Sequence, residues 1–167
     1  MATIDKFMTT ELLSKFEKAL MSGSLQGIAN DSLVDFHEDI ASELVDSIKD
    51  NFHREKDVYG NDYEPLNEFY QDYKKGDPNQ PILVDTGAMR DSINYIADEK
   101  GFDINHNTPY GDYHQFGMGK NPQRKFIPEG ANEISSYSNS VGENISLDSE
   151  EAIDGLIERF IDNVLNS

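Results

Sequence analysis

Asp85-Thr86-Gly87, preceded by the apolar triplet Ile82-Leu83-Val84, is the clearest candidate for bond-breaking chemistry in this chain. A carboxylate so placed can serve as half of a pair, two aspartates sharing one proton because like charges in contact cannot both ionise. With one such tripeptide per chain, the pair would need two chains. His106, Asp112 and His114 are the second candidate, an imidazole and carboxylate set that could bind a metal or shuttle protons. No independent cue joins them, and a satisfied structural histidine is the simpler reading. His37 and His53 lie among charges and read as solvated, since Glu38 and Asp39 beside His37 do not make a recognised ligand spacing. Lys120, Arg124 and Lys125 form the one local positive cluster, suited to an acidic patch on a neighbouring copy or to a phosphate backbone, with the neighbour preferred. No catalytic, cofactor-binding or metal-binding residue is assigned, no cofactor is expected, and the chain is expected not to be an enzyme.

The paired-carboxylate reading is that of retroviral-type aspartic proteases, which need a strand after the tripeptide, a Gly-rich flap and a later apolar-apolar-Gly wedge. The sequence offers neither of the last two. Ala88, Met89 and Ile93 are spaced as in a short helix, with Arg90, Asp91 and Ser92 facing out. Asp85 or Thr86 then reads as its N-cap, a side-chain oxygen accepting a free backbone N–H while Gly87 eases the turn.

Composition narrows the field. The 167 residues suffice for one domain with a real core. The absence of cysteine excludes disulfides and thiolate metal sites and fits a reducing cytoplasm. No run approaches the roughly 18 apolar residues of a membrane span, and MATIDKF lacks a signal pattern, so a soluble, unexported protein is expected. The 32 acidic against 14 basic side chains leave a net charge of -18, the wrong sign for gripping phosphates. Such a surface is compatible with one that DNA slides past without sticking, although composition alone favours the simpler reading that the acid keeps the protein soluble.

The elements that must position these residues can be read from periodicity. Ile4, Met8, Leu12, Phe16 and Leu20 recur every four residues as a helical stripe, and SGSLQGIAN after it reads as a hinge. A second helix is predicted from Asp31 or Ser32, where Ser32-x-x-Asp35 is close to a capping box, to about His53. Phe36, Ile40, Leu44 and Ile48 form its buried stripe. Residues 57–81 read as a long loop whose tyrosines, Tyr63 and Tyr70 among them, either form an interface or pack onto the chain's own core, with equal weight. Ile93–Ala97 and Phe102–Asn105 are predicted as a hairpin, and Tyr110–Gly117 as a short helix or turn. After a polar run, Asp148 or Ser149 caps a closing helix with Ile153, Leu156, Ile157, Phe160, Ile161, Val164 and Leu165 on one broad apolar face. The fold class is α+β: a small antiparallel sheet packed by a long helix, with additional N- and C-terminal helices. The domain organisation is an N-terminal helix and hinge over 1–30, a core over 31–130, and a C-terminal loop and helix over 131–167.

The order of ILVDTGAMRDSI, PYGDYHQFG and RKFIP resembles the virion morphogenesis or tail completion family of tailed bacteriophages. Tyr59-Gly60 and Tyr63-Glu64-Pro65-Leu66 extend the likeness upstream, as does Lys74 or Lys75, so that it covers roughly residues 31–130. Tyr63 stands where Trp is more usual, Gly111 where Ala is, and Met89 where Leu is. The resemblance singles out Tyr63, Asp85, Thr86, Gly87, Tyr110, His114, Gln115, Gly117, Lys120, Arg124 and Lys125 as motif or interface positions. It implies further strands beside the hairpin, and a structural virion protein: a tail completion or tail terminator protein whose copies form a homo-oligomeric, hexameric ring at the head-proximal end of the tail. Its partners would be the tail tube and the neck or connector proteins, with genome DNA passing through without specific binding and no membrane involved. It would act at the head–tail junction of the virion and in the host cytoplasm during assembly. A head-side connector or minor capsid protein is the nearest alternative. The aspartic protease and an acidic DNA mimic are the alternatives of another class.

Overall fold

A computed structural model describes residues 15, 18, 21–73, 80–130, 133, 134, 137 and 150–166. They fall into two compact units. One holds the described residues up to Ile40, the hairpin tip Ala97–Phe102 and the C-terminal helix; the other holds Ala41–Ile96 and the described residues from Asp103 to Tyr137. The elements in order are helix α1 (Leu25–Arg54), short helices α2 (Glu68–Tyr73) and α3 (Ala88–Asp91), strands β1 (Asn94–Asp98) and β2 (Gly101–Asn105), short helix α4 (Gly111–Gln115) and helix α5 (Glu150–Asn166). The fold is α+β, with α1 as its long helix.

α1 begins at Leu25, six positions before the predicted Asp31 start, and ends at Arg54. Ser32 is not a cap. Its buried hydroxyl donates back to the Ile28 carbonyl at 2.8 Å, one turn earlier. The helix extends backward because Leu25 and Ile28 pack against Val164, Phe160, Ile161 and Leu165 of α5, a gain that outweighs the poor helix propensity of Gly27. The break falls instead at Gly23, whose φ of 73° is the left-handed conformation glycine adopts without strain. Lys15, Lys18, Met21 and Ser22 before it are helical, whereas Ile4, Met8, Leu12, Phe16 and Leu20 lie outside the described residues.

The predicted four-residue stripe is the buried one. Phe36, Ile40, Leu44 and Ile48 are all buried, and Ala41, Val45 and Phe52 widen the face. In the second unit Leu44, Ile48 and Phe52 join Val58, Met89, Ile93, Phe126 and Ile127 as core residues, with Phe52 and Phe126 meeting edge to face at 5.4 Å. The polar run after Pro128 is not purely loop: Tyr137 is helical and fully buried, its hydroxyl 3.0 Å from Ser47 Oγ on α1.

β1 and β2 form the hairpin, and among the described residues the sheet has these two strands, without the further strands the resemblance implied. Asp98 Oδ1 shapes the turn by accepting the N–H groups of Lys100 and Gly101. His37, expected in solvent, is half-buried with Nδ1 2.7 Å from the Asp98 carbonyl oxygen, and so ties α1 to the turn. α5 buries Val164 against Ile28, but Ile157 is exposed, so the apolar face is narrower than predicted. Polar contacts border that face, with Asn163 donating to Ser32 Oγ at 2.9 Å and Arg159 paired with Asp39. The cap position and the side chains of Ile153 and Leu156 lie outside the described residues.

Candidate functional site

The second unit carries a cleft of about 720 Å³. One wall is Glu64–Asn67 with Tyr70 of α2, the floor is Ile82–Met89, and the far side is Tyr110, His114, Lys120–Pro122 and Arg124. Three local devices build these walls. Asn67 Oδ1 accepts the Tyr70 N–H at 2.7 Å and so starts α2 inside what reads in the sequence as loop. Leu83 takes a φ of 67°, a left-handed conformation that costs a non-glycine residue about 1–2 kcal/mol. Gly87, at φ 81°, turns the chain into α3.

The N-cap of α3 is Gly87, not Asp85 or Thr86, although Thr86 Oγ1 still accepts the Ala88 N–H at 3.3 Å. Asp85 and Thr86 are exposed, and the chain after them is helical rather than the strand a protease site requires. Arg90 pairs with Asp91 at 2.7 Å and reaches His53 Nε2 at 3.0 Å; the Arg90 hydrogen bond holds the Asp91 carboxyl below the usual range. Among the described residues no group of three or more histidines and acids is placed to hold a metal.

Beside the cleft lies a clasp made by one side chain. Gln115, buried at the end of α4, accepts the N–H groups of Phe126 and Ile127 through Oε1, both at 3.0 Å, and donates Nε2 to the Ile127 carbonyl at 2.7 Å. A primary amide is suited to this, having an acceptor with two lone pairs beside a donor. Gln123 Nε2 donates in turn to the Gln115 carbonyl, and the Arg124 N–H to that of His114. Gly117, at φ 64°, lets the chain double back, since a Cβ there would stand 2.9 Å from Gln123 Cβ. The HQFG and RKFI motifs are thus two sides of one hydrogen-bonded clasp.

The predicted cationic cluster does not exist as a single surface patch. Arg124 is only 4% exposed and donates Nε and Nη2 to the Glu64 carbonyl at 3.0 and 2.6 Å. Burial lowers its guanidinium from the ordinary arginine value, against the pull of Glu64. Lys125 is held by Glu129 and Glu133. Burial opposes ionisation of Glu133, but bonds from Lys125, the Glu129 N–H and Tyr59 outweigh it and hold the carboxyl below its usual range. Lys120 alone stays exposed. Tyr63 is a core residue rather than an interface residue: burial raises its phenol, and its hydroxyl finds no hydrogen-bond partner among the described residues.

His106, Asp112 and His114 separate into two roles. His106 Nε2 lies 3.2 Å from Asp112 Oδ1, and its ring meets Phe126 at 5.6 Å. A Cβ on Gly111 would fall 2.3 Å from that ring, which explains glycine where the resemblance leads one to expect alanine. His114 lines the cleft instead. Burial, helped by the Arg124 cation, lowers its imidazole from the ordinary value, and its buried Nδ1 has no partner among the described residues.

The structure therefore brings Asp85, Thr86, Gly87, Tyr110, His114, Lys120 and Arg124 to one cleft and uses Tyr63, Gln115, Gly117 and Lys125 outside its lining. Tyr70, a candidate interface residue, lines the cleft, whereas Asn121 and Pro122 were not anticipated there; the prolines at 65 and 122 were the available signal that two chain segments turn there. Beside the cleft, α4 and the turn after it expose Tyr113, Phe116 and Met118. Residues 13–159 match the phage virion morphogenesis family. The chain belongs to that family. The match reaches beyond residues 31–130 at both ends and covers the clasp, the cleft and most of α5. No curated protein and no solved structure gave a significant match. As a member of this virion morphogenesis family, the chain is a structural, virion-associated component of phage assembly. Among the described residues no helix is long and apolar enough to cross a membrane.

Proposed function

We propose that this member of the virion morphogenesis family is a tail completion protein, whose copies close into a ring at the head-proximal end of the tail and join it to the neck. The observation that carries the reading is the exposed aromatic ground around the cleft, where Tyr70, Tyr110, Tyr113, Phe116 and Met118 are each about half exposed, at 45–54%. Large apolar side chains grouped this way suit a protein surface, because they bring contact area at little cost in conformational entropy. A concave patch on one copy that meets a different patch on the next generates a closed ring when the rotation closes. The net charge of -18 suits a ring whose channel passes DNA without holding it.

The test is assembly. Purified full-length protein is expected to form rings visible by negative-stain microscopy, and phage lacking it to accumulate heads and tails that do not join. Cutting the chain at the Gly23 break, removing residues 1–22, is expected to weaken ring formation. Infections that join heads to tails normally without the protein would rule the reading out.

A further inference from the structure

The cleft holds a buried cation without an ion pair among the described residues. Arg124 is 4% exposed, and its two described side-chain hydrogen bonds go to the Glu64 carbonyl; among the described residues no carboxylate lies within ion-pair distance of it, and the Glu64 carboxylate acts on it only from farther away. By contrast Lys125, the next residue, has two carboxylates. His114, whose buried Nδ1 has no partner among the described residues, and exposed Lys120 line the same cleft. Burying a charge is costly unless an opposite charge and hydrogen bonds compensate it. Glu64 and Asp85 also line the cleft, both exposed to solvent.

We propose that this is an anion socket that receives the exposed acidic face of α5 from a second copy of the chain. α5 offers a matching group. It carries Glu150, Glu151, Asp154, Glu158 and Asp162 against one base, Arg159, which is already paired with Asp39. Glu158 and Asp162, four residues apart, share an exposed side with Ile157, which is 42% exposed. Ile157 supplies the apolar anchor for a floor that includes Leu83, Val84 and Met89, and the adjacent carboxylates supply the anion. The other exposed isoleucine among the described residues, Ile96, lies near Asp98, whose Oδ1 is already spent on the hairpin turn. A phosphate backbone also has the right charge for the socket, but it offers no apolar group for the floor as Ile157 does.

This inference rests on the ring reading, and the experiment separates the two. Self-association of the full chain is measured by analytical ultracentrifugation for the wild type, Lys120→Glu, the pair Glu158→Lys with Asp162→Lys, and all three changes together. The socket is expected to show about tenfold or greater weakening for each charge reversal, by loss of a close charge pair, and recovery in the combined variant. Wild-type rings that are indifferent to both reversals overturn the socket and leave the ring standing. If the wild type does not self-associate, the ring reading fails and the socket is judged directly. A synthetic peptide of residues 150–166 is titrated into the full chain while the His114 ring resonances are followed. A saturable shift that a scrambled peptide does not reproduce supports the socket. No shift, or a tighter response to a short DNA duplex than to the peptide, overturns it.

Discussion

The two units differ in how they hold themselves together. In the unit from Ala41 onward, Leu44, Ile48, Phe52, Val58, Met89, Ile93 and Phe126 are nearly or wholly buried, and a buried glutamine fixes the backbone around them. In the other, Ile28, Phe36, Ile40 and Val164 are the buried hydrophobics among the described residues, and the contact of Ile28 with Val164 is flanked by half-buried Leu25, Phe160, Ile161 and Leu165 and bordered by polar contacts at Ser32 and Asp39. The first has the packing of a self-sufficient core. Where the second joins α1 to α5, the described contact is partly open to solvent and edged by polar groups.

Breaking the core should therefore cost most. Phe52→Ala is expected to lose about 3–5 kcal/mol of stability by denaturant titration, and Val164→Ala distinctly less, because the half-buried surroundings of Val164 can collapse. Equal losses would remove the distinction between the units. Gln115→Ala comes next. It leaves the Phe126 and Ile127 N–H groups and the Ile127 carbonyl unpaired in the interior, each worth roughly 1–3 kcal/mol, so near-complete loss of the clasp is expected as rapid amide exchange at positions 126 and 127.

Gly111→Ala is a sharper, smaller probe of the same unit. The added methyl meets the His106 ring, and overpacking of this kind costs about 1–3 kcal/mol. His106→Ala in the same chain is expected to recover much of that loss, since the two positions touch. A full cost that persists without the His106 ring would show that backbone conformation, not the ring, demands glycine.

The smallest expected effect is electrostatic. Folding lowers the His114 imidazole below its ordinary value, so below about pH 6.5 the unfolded chain binds a proton that the folded chain resists. The wild type should lose stability relative to His114→Gln as pH falls from about 6.5 through the lower folded value, and the difference should be flat well above pH 6.5. A difference that grows instead with rising pH would mean that the folded chain stabilises the imidazolium.

Elements set by local periodicity were legible in the sequence: the stripe from Phe36 to Ile48, the hairpin within one residue at each end, and the helical turn after Gly87. What depended on distant partners was not. The start of α1 lies at Leu25 because α5 covers Ile28, and two glycines nearby signalled a hinge. Arg124 and Lys125 read alike as surface cations, yet one is buried under the Glu64 carbonyl and the other is neutralised by Glu129 and Glu133. Gln115 and Tyr63 stood out only as motif letters, because nothing in a linear pattern reveals which backbone groups a buried amide will satisfy. The cleft was partly visible, since Asp85–Gly87, Tyr110 and His114 were singled out together, but the wall from Glu64 to Tyr70 depends on a fold-back that leaves no periodic trace.

The most direct test of the account is the mass and image of the purified full chain under physiological salt. It expects closed rings of a single copy number, a multiple of the 18.9 kDa protomer, with six the number the resemblance implies. A species that stays at 18.9 kDa at every concentration tried, and shows no rings in the microscope, would contradict it.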